Sequence, residues 1–227
     1  MTILAPDHET ILGILAQHEI AKRFYWTGGT LLSHYYLHHR KSFDLDFFSD
    51  TPFTREELTP FLDEVRQKFT FSRIIERKIY DRWEFVIENR DPSIRFEFVH
   101  YNHEKVRLAP LAPYRGLLID SLPDLAANKV MAYLDRNQPK DILDLYVLLK
   151  RRTFTVSKLI NLVDQKFGVR ISEFTFWTES TKILKNLDGL VPYLLLSDPV
   201  KQGAYLQEVK YFFLDRGKDF LTTLLGT

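Results

Sequence analysis

The segment Tyr25–Phe48, YWTGGTLLSHYYLHHRKSFDLDFF, decides the fold of this chain. Its pattern predicts a short strand, a turn at Gly28-Gly29, a helix, a basic loop and a second strand that carries Asp44 and Asp46. Alternate residues of a strand point to the same face, so both carboxylates are expected on one face and their apolar neighbours on the other. The segment therefore predicts an α/β element with two acidic side chains close together.

The composition is that of a globular protein and excludes several classes. Hydrophobic residues make up 45% and charged residues 27% of the 227, and the formal net charge is only +1. Any contact with nucleic acid must then come from a local basic patch. The absence of cysteine excludes a disulfide framework and a thiolate zinc site. No apolar run reaches the ~20 residues of a membrane span, and the N-terminal residues do not resemble a signal peptide, so we predict a cytoplasmic protein without membrane contact.

The character of the chain changes near Ser121. Before this point, β-branched and aromatic runs with turn residues predict an α/β part. Its predicted elements are a helix at 7–20, strands at 22–27 and 43–48, a helix from Thr54, and strands at 71–79, 83–89 and 94–101 with a turn at 89–93. After it, the pattern predicts helices at 123–136, 139–151, 155–167, within 172–187 and at 204–216. We expect two domains, residues 1–120 and 121–227, with the active site in the cleft between them.

The acidic strand and the glycine turn indicate a functional site only in combination. Asp44 and Asp46 alone would be typical of a solvated strand, although two adjacent carboxylates also suit a hard divalent cation such as Mg²⁺. Gly28-Gly29 alone would be an ordinary turn, although such a turn lets main-chain N–H groups approach a phosphate. Thr30 is expected to cap the following helix and to offer a hydroxyl donor. The combination favours a site for a metal ion and a nucleoside triphosphate.

Two blocks of sequence carry a resemblance to a known family. The first, TGGT-x13-DLD, resembles the signature of the DNA polymerase β-like nucleotidyltransferase superfamily. The second, LPDLAANKVMAYLDRNQPKDILDLYVLL, is similar to the helical motifs of the AbiEii-type nucleotidyltransferase toxins, which include the MenT group. This resemblance implies an α/β (α+β) fold, with a polymerase β-like mixed sheet flanked by helices and followed by a C-terminal helical domain.

The resemblance also implies a reaction and a metal site. The reaction is attack of an acceptor hydroxyl on the α-phosphorus of an NTP, assisted by two Mg²⁺ ions held by Asp44 and Asp46. The superfamily uses a third carboxylate on a later strand, as a base or metal ligand, and Glu97 is the best candidate because Phe96 and Phe98 face away from it. A surface glutamate paired with Arg95 or Lys78 is the alternative interpretation.

The second block adds candidate residues from the helical half. Lys129 and Arg136 lie on one predicted helix face, and the resemblance implies that Lys129 contacts the triphosphate. Asp141, and after it Asp144, are implied to position the nucleotide or the acceptor. The residues themselves leave alternatives open: Lys129 could be solvated, Asp141 could complement a helix dipole, and Asp144 could pair with Lys140.

The resemblance further implies a biological role and partners. It suggests the toxin of a type IV toxin–antitoxin or phage-defence system, with tRNA as acceptor and a cognate antitoxin. The basic clusters His38–Lys41 and Lys150–Arg152 are candidate contacts to RNA phosphates. Two alternatives remain open, namely a small-molecule nucleotidyltransferase of the antibiotic-modifying kind and a non-catalytic relative that binds only a nucleotide or a protein partner.

Overall fold

The computed structural model describes residues 4–88, 93–151 and 154–226, and the chain divides into two compact units. The sheet unit consists of Met1–His38, Ser42–Glu104 and Ala109–Leu122. The helical unit consists of His39–Lys41, Lys105–Leu108 and Pro123–Thr227. Two short segments from the first half of the sequence therefore pack with helices from the second half.

The sheet unit is built on a mixed sheet of seven strands. These are β1 (Tyr25–Thr27), β2 (Asp44–Ser49), β3 (Ile74–Ile79), β4 (Arg82–Ile87), β5 (Ile94–His100), β6 (Ala112–Tyr114) and β7 (Leu117–Ile119). Their order across the sheet is β3-β4-β5-β2-β1-β7-β6. The pairs β2·β5 and β1·β7 are parallel, and the other neighbouring pairs are antiparallel. The predicted mixed α/β fold is confirmed, whereas β7 was not predicted because three residues are too few to show alternation.

The helices of the sheet unit are short. They are α1 (Pro6–Leu15), a 3₁₀ segment Glu19–Arg23, α2 (Gly28–Leu31) with a π-helical continuation Leu32–Leu37, a 3₁₀ segment Glu56–Leu58 and α3 (Thr59–Lys68). The first helix ends five residues before the predicted end, because the chain turns extended at His18. The main-chain N–H of Thr54 donates to the Glu57 carboxylate at 2.7 Å, as in a capping box. The predicted turn at 89–93 falls largely on residues 89–92, outside the described residues.

An aromatic core holds the register of the central strands. Leu45 and Phe47 of β2 are buried, and Phe47 stacks on Phe98 of β5 with ring centroids 5.1 Å apart. Phe96 stacks on Phe85 of β4 at 5.2 Å. A shift of one residue in any of these strands would turn the aromatic rings out of the core. The packing on this face therefore fixes which side chains point to the opposite face.

The helical unit contains five α-helices in its described part. They are α4 (Leu122–Arg136), α5 (Pro139–Lys150), α6 (Val156–Phe167), α7 (Glu173–Ile183) and α8 (Pro199–Leu225), with a 3₁₀ segment Leu184–Tyr193 before α8. The first three agree with the prediction to within one residue at each end. α8 is much longer than predicted, because Asp198 caps it through two main-chain N–H groups and Pro199 starts it. Among the described residues no helix, α8 included, is long and apolar enough to cross a membrane.

Candidate active site

A row of acidic residues crosses the centre of the sheet. Asp46 of β2 is the register partner of Glu97 on the parallel strand β5. The same row continues to Thr27 on β1 and to Glu84 on β4. Register partners project from the same face, so the fold brings Asp46, Glu97 and Glu84 side by side opposite the aromatic core. Asp44 lies two residues before Asp46 in β2 and projects from the same side. We call this side of the sheet the acidic face.

Glu97 is the most perturbed carboxyl group of the acidic face. The residue is only 9% exposed, and its Oε2 has no hydrogen-bond partner among the described residues. The nearest cation of a defined ion pair is Arg82, whose Nη1 lies 3.5 Å from that oxygen. Burial and the adjacent Asp46 carboxylate raise the pKa of Glu97 to about 7. A carboxyl group in this state can exchange a proton near neutral pH, or ionise fully beside a cation.

Asp46 lies against the main chain at the start of α2. A Cβ atom at Gly28 would stand 1.8 Å from Asp46 Oδ2, and Gly28 has a positive φ of 77°. Both facts require glycine, since a side chain there would displace the carboxylate. Gly28 and Gly29 form the first turn of α2, whose N–H groups lack partners within the helix. The strand, turn and helix therefore place the Asp46 carboxylate beside the main chain at Gly28.

Thr30 occupies a different position from the one predicted. The helix begins at Gly28, three residues earlier than expected, so Thr30 lies inside it and the residue at the cap position is Thr27. The Thr30 side chain is buried; its hydroxyl contacts the main-chain carbonyl of Asp44 and lies 2.8 Å from Ser42 Oγ. The expectation that Thr30 caps the helix is thus wrong. Its contacts hold the first residue of β2 instead.

Asp44 is bound by an arginine of the neighbouring strand. Arg95 donates from Nε to Asp44 Oδ1 at 3.0 Å and from Nη2 to Oδ2 at 2.7 Å. Its remaining terminal nitrogen lies 3.3 Å from Glu84 Oε2. The sequence suggests Arg95 only as a possible partner of Glu97 and does not single out Glu84. Strand alternation could have found both, because each lies on the acidic face.

The acidic face fits a magnesium ion bound together with a nucleotide. In the part of the chain that the structure describes, no three His, Cys, Asp or Glu side chains form a ready metal cage. Magnesium commonly uses one or two carboxylates and takes its other ligands from water and substrate phosphates. Asp46 and Glu97 supply hard oxygen donors, one of which has no hydrogen-bond partner in the described chain. Asp44, the third predicted ligand, is held by Arg95.

The residues of the second block form a buried ionic cluster in the helical unit. Lys129 of α4 is only 6% exposed, and its Nζ lies 3.1 Å from Asp141 Oδ1 and 2.8 Å from Asp144 Oδ2. Arg136 donates to both oxygens of Asp141, at 2.7 and 2.8 Å. The side chain of Arg136 remains 40% exposed. Lys129 is therefore not the solvated lysine of the alternative interpretation, and Arg136 is the accessible cation of the pair.

Two residues of the predicted basic loop, His39 and Arg40, complete this cluster. Arg40 donates to Asp144 from Nε at 2.6 Å and from Nη2 at 2.9 Å, and His39 Nε2 lies 2.7 Å from Asp144 Oδ1. Both side chains are buried, so the expectation that they contact RNA phosphates is wrong for these two residues. Asp144 does not form the suggested pair with Lys140; its partners among the described residues are His39, Arg40 and Lys129. Of the second basic cluster, Arg152 lies outside the described residues.

The charges of the cluster shift its ionisation equilibria. Burial would raise the pKa of Asp144, but Arg40 and Lys129 outweigh it and hold that pKa well below its ordinary value. Burial likewise opposes ionisation of Asp141, and Lys129 with Arg136 lowers its pKa. Burial lowers the pKa of His39. The cluster therefore holds two carboxylates, three cations and a neutral histidine.

Known proteins share this fold over most of their length. A relative described as the uncharacterized protein aq_aa25 of Aquifex aeolicus (strain VF5) is 27% identical over 210 residues, covering 89% of this chain and 90% of that protein. The crystal structure of JHP933 from Helicobacter pylori superposes with a TM-score of 0.53 at 18% identity, covering 97% and 96% of the two chains. A putative nucleotidyltransferase from H. pylori gives 0.54 at 19%, covering 96% and 99%. These likenesses show a shared fold.

The family model gives the assignment. The model described as nucleotidyl transferase AbiEii toxin, type IV TA system, matches residues 10–209. This range includes the acidic face, the glycine turn and the buried ionic cluster, and it spans most of the chain. The protein therefore belongs to the AbiEii family of nucleotidyltransferase toxins of type IV toxin–antitoxin systems.

Proposed function

We propose that this protein transfers a nucleoside monophosphate from an NTP to a hydroxyl group of tRNA, with Mg²⁺, as the toxin of a type IV toxin–antitoxin or phage-defence system. Family membership supports nucleotidyl transfer and the toxin class. The observation that carries the proposal is the pairing of Asp46 with Glu97 on adjacent parallel strands, beside a glycine that leaves room for the Asp46 carboxylate. This is the arrangement of oxygen donors that a metal-bound triphosphate requires.

The acidic face supplies the chemistry of the proposed reaction. Asp44, Asp46 and Glu97 are the residues that would hold magnesium, which neutralises phosphate charge and favours attack at the α-phosphorus. In the transfer, the acceptor oxygen bonds to the α-phosphorus, the α–β phosphoanhydride bond breaks and pyrophosphate leaves. If Glu97 acts as the base and not as a metal ligand, its pKa, raised to about 7, suits acceptance of the hydroxyl proton at a carboxylate oxygen.

Other residues are proposed to bind the nucleotide. The first turn of α2, at Gly28 and Gly29, offers main-chain N–H groups to a phosphate. Arg136, with its half-exposed guanidinium, and Lys129 are proposed to neutralise the triphosphate, as the family resemblance implies for Lys129. Asp141 and Asp144 hold these two cations in position through the ion pairs described above.

The direct test is transfer of label from each of four labelled NTPs to total tRNA in the presence of Mg²⁺. We expect label in tRNA with the wild type and none with Asp46→Asn or with excess chelator. The matched control is Asp50→Asn, which changes an exposed aspartate just after β2 and should retain activity. Absence of label in tRNA with every NTP would overturn the proposed acceptor.

The same preparation separates the alternatives. Label in an aminoglycoside or another small hydroxyl compound, with none in tRNA, would identify a small-molecule nucleotidyltransferase. Calorimetric binding of Mg-NTP without turnover on any acceptor would identify a non-catalytic relative. Growth arrest on expression, abolished by Asp46→Asn and relieved by a neighbouring antitoxin gene, is the expected result in cells. The proposed toxin acts in the cytoplasm, where NTP and tRNA are present.

A further inference from the structure

Arg95 of the acidic face binds Asp44, one of the predicted metal ligands. It lies on β5 two residues before Glu97, and its register partner on β2 is Asp44. Two parallel hydrogen bonds, of 3.0 and 2.7 Å, join its guanidinium to both oxygens of the Asp44 carboxylate. Such a bidentate pair uses the same oxygens that a divalent cation would bind. Arginine and metal ion therefore compete for Asp44.

Glu84 offers the same guanidinium a second carboxylate. Arg95 Nη1 lies 3.3 Å from Glu84 Oε2, and Glu84 is a buried residue of β4 on the acidic face. The other cation near Glu84 is Arg77, at the longer distance of 3.8 Å from Oε1. Arg95 therefore bridges the two carboxylates, and release of Asp44 would leave its guanidinium bound to Glu84. The cation would remain on the acidic face throughout, and its charge would stay paired.

We propose that Arg95 is the resident counter-ion of the acidic face and that binding of a divalent cation transfers its guanidinium from Asp44 to Glu84. Before metal binding, Arg95 offsets the repulsion among Asp44, Asp46 and Glu97. After metal binding, Glu84 holds Arg95 away from the metal ligands. Arg95 and Glu84 are positioning residues in this exchange, which rests on the proposed metal-dependent function.

The exchange predicts a specific pattern of metal affinities. Mn²⁺ binding to the full chain, measured by electron paramagnetic resonance of the free ion, would be compared in the wild type, Arg95→Met, Glu84→Gln and the double variant. Arg95→Met should bind Mn²⁺ about tenfold more tightly, because the competitor for Asp44 is gone. Glu84→Gln should bind severalfold more weakly, and this effect should vanish when Arg95 is also replaced. A purely electrostatic role of Glu84 would weaken binding equally in both backgrounds and would overturn the proposal.

A second readout follows Arg95 itself and does not depend on a stable Arg95→Met protein. The ¹⁵Nε resonance of Arg95, assigned by its loss in Arg95→Lys, should shift when Mg²⁺ is added to the wild type. The same addition to Asp46→Asn, which lacks a metal ligand, should leave it in place. An Arg95 resonance that does not respond to bound Mg²⁺ would overturn the exchange.

The outcomes separate this inference from the proposed function. Equal Mn²⁺ affinity in the wild type and Arg95→Met, with weaker binding in Asp46→Asn, would refute the exchange and leave the metal site intact. No measurable Mn²⁺ binding in any of these proteins, with or without NTP, would refute both the exchange and metal-dependent transfer.

Discussion

Arg40 and Asp144 form a buried, bidentate ion pair although 104 residues separate them in the sequence. The pair holds the segment His39–Lys41 in the helical unit, and from this segment the chain continues directly into Ser42 and β2. Removal of one partner would leave a buried charge without compensation. The stability of the helical unit thus depends on Arg40, four residues before the acidic strand begins at Asp44.

The first prediction concerns this pair. Arg40→Met should lower the free energy of unfolding by about 3–5 kcal/mol, as breaking a buried ion pair does. Urea unfolding would measure it, with Lys41→Ala as the control, since the side chain of Lys41 is exposed. The control should lie within about 0.5 kcal/mol of the wild type. Arg40→Met with the stability of the control would contradict the structural assignment.

The second prediction is a pH dependence of stability that arises from His39. Burial lowers its pKa, and its Nδ1 has no hydrogen-bond partner in the described chain, so the folded state keeps it neutral. The unfolded chain binds a proton at His39 near pH 6.5, and the folded chain does so only at lower pH. Stability should therefore fall as the pH drops below about 6.5.

Unfolding by urea between pH 8 and 5 would test this. His39→Gln, whose amide can still donate to Asp144, should flatten the decline, whereas His103→Gln at an exposed position should not. When the series is extended below about pH 4, a further loss is expected, because the unfolded chain then binds a proton at Asp144 while the folded chain, whose Asp144 pKa lies well below its ordinary value, does not. An identical pH profile for His39→Gln and the wild type would argue against a neutral His39.

The third prediction compares two glycines. Gly28→Ala places a methyl group on Asp46 Oδ2 at a positive φ, and should reduce nucleotidyl transfer at least about 100-fold by moving a metal ligand. Its cost in stability should be about 1–2 kcal/mol from the backbone conformation. Gly13→Ala is the control, because nothing lies within 4 Å of the new methyl group in α1. That variant should be as active as the wild type and up to about 1 kcal/mol more stable.

The fourth prediction separates activity from stability at Glu97. Glu97→Gln should lower the rate about 10²- to 10⁴-fold, the usual effect of removing an acid–base group. It should not lower the melting temperature in chelator, and should raise it at pH 8, because it removes a buried charge beside Asp46. Glu56→Gln, at an exposed glutamate, should change neither quantity. Equal losses of activity and stability in Glu97→Gln would indicate a structural role.

Local patterns determined a large part of the fold. The alternation of acidic and apolar residues in β2 predicted that Leu45 and Phe47 face the core while Asp44 and Asp46 do not, and the structure agrees. Hydrophobic periodicity located α4, α5 and α6 to within one residue at each end. These features depend on residues a few positions apart, where strand and helix periods act directly. Each of the two motif blocks that carry the family resemblance is likewise a local pattern, since the residues within a block lie close together in sequence.

Only the tertiary structure decided how distant charged residues pair. A sequence gives no register between β2 and β5, so the pairing of Arg95 with Asp44 could not be known from it. The sequence predicts that Arg40 belongs to a basic loop that contacts RNA, whereas packing buries it on Asp144. A charged side chain carries no local sign of its burial. Its partner is set by the register of strands and the packing of helices, which depend on the whole chain.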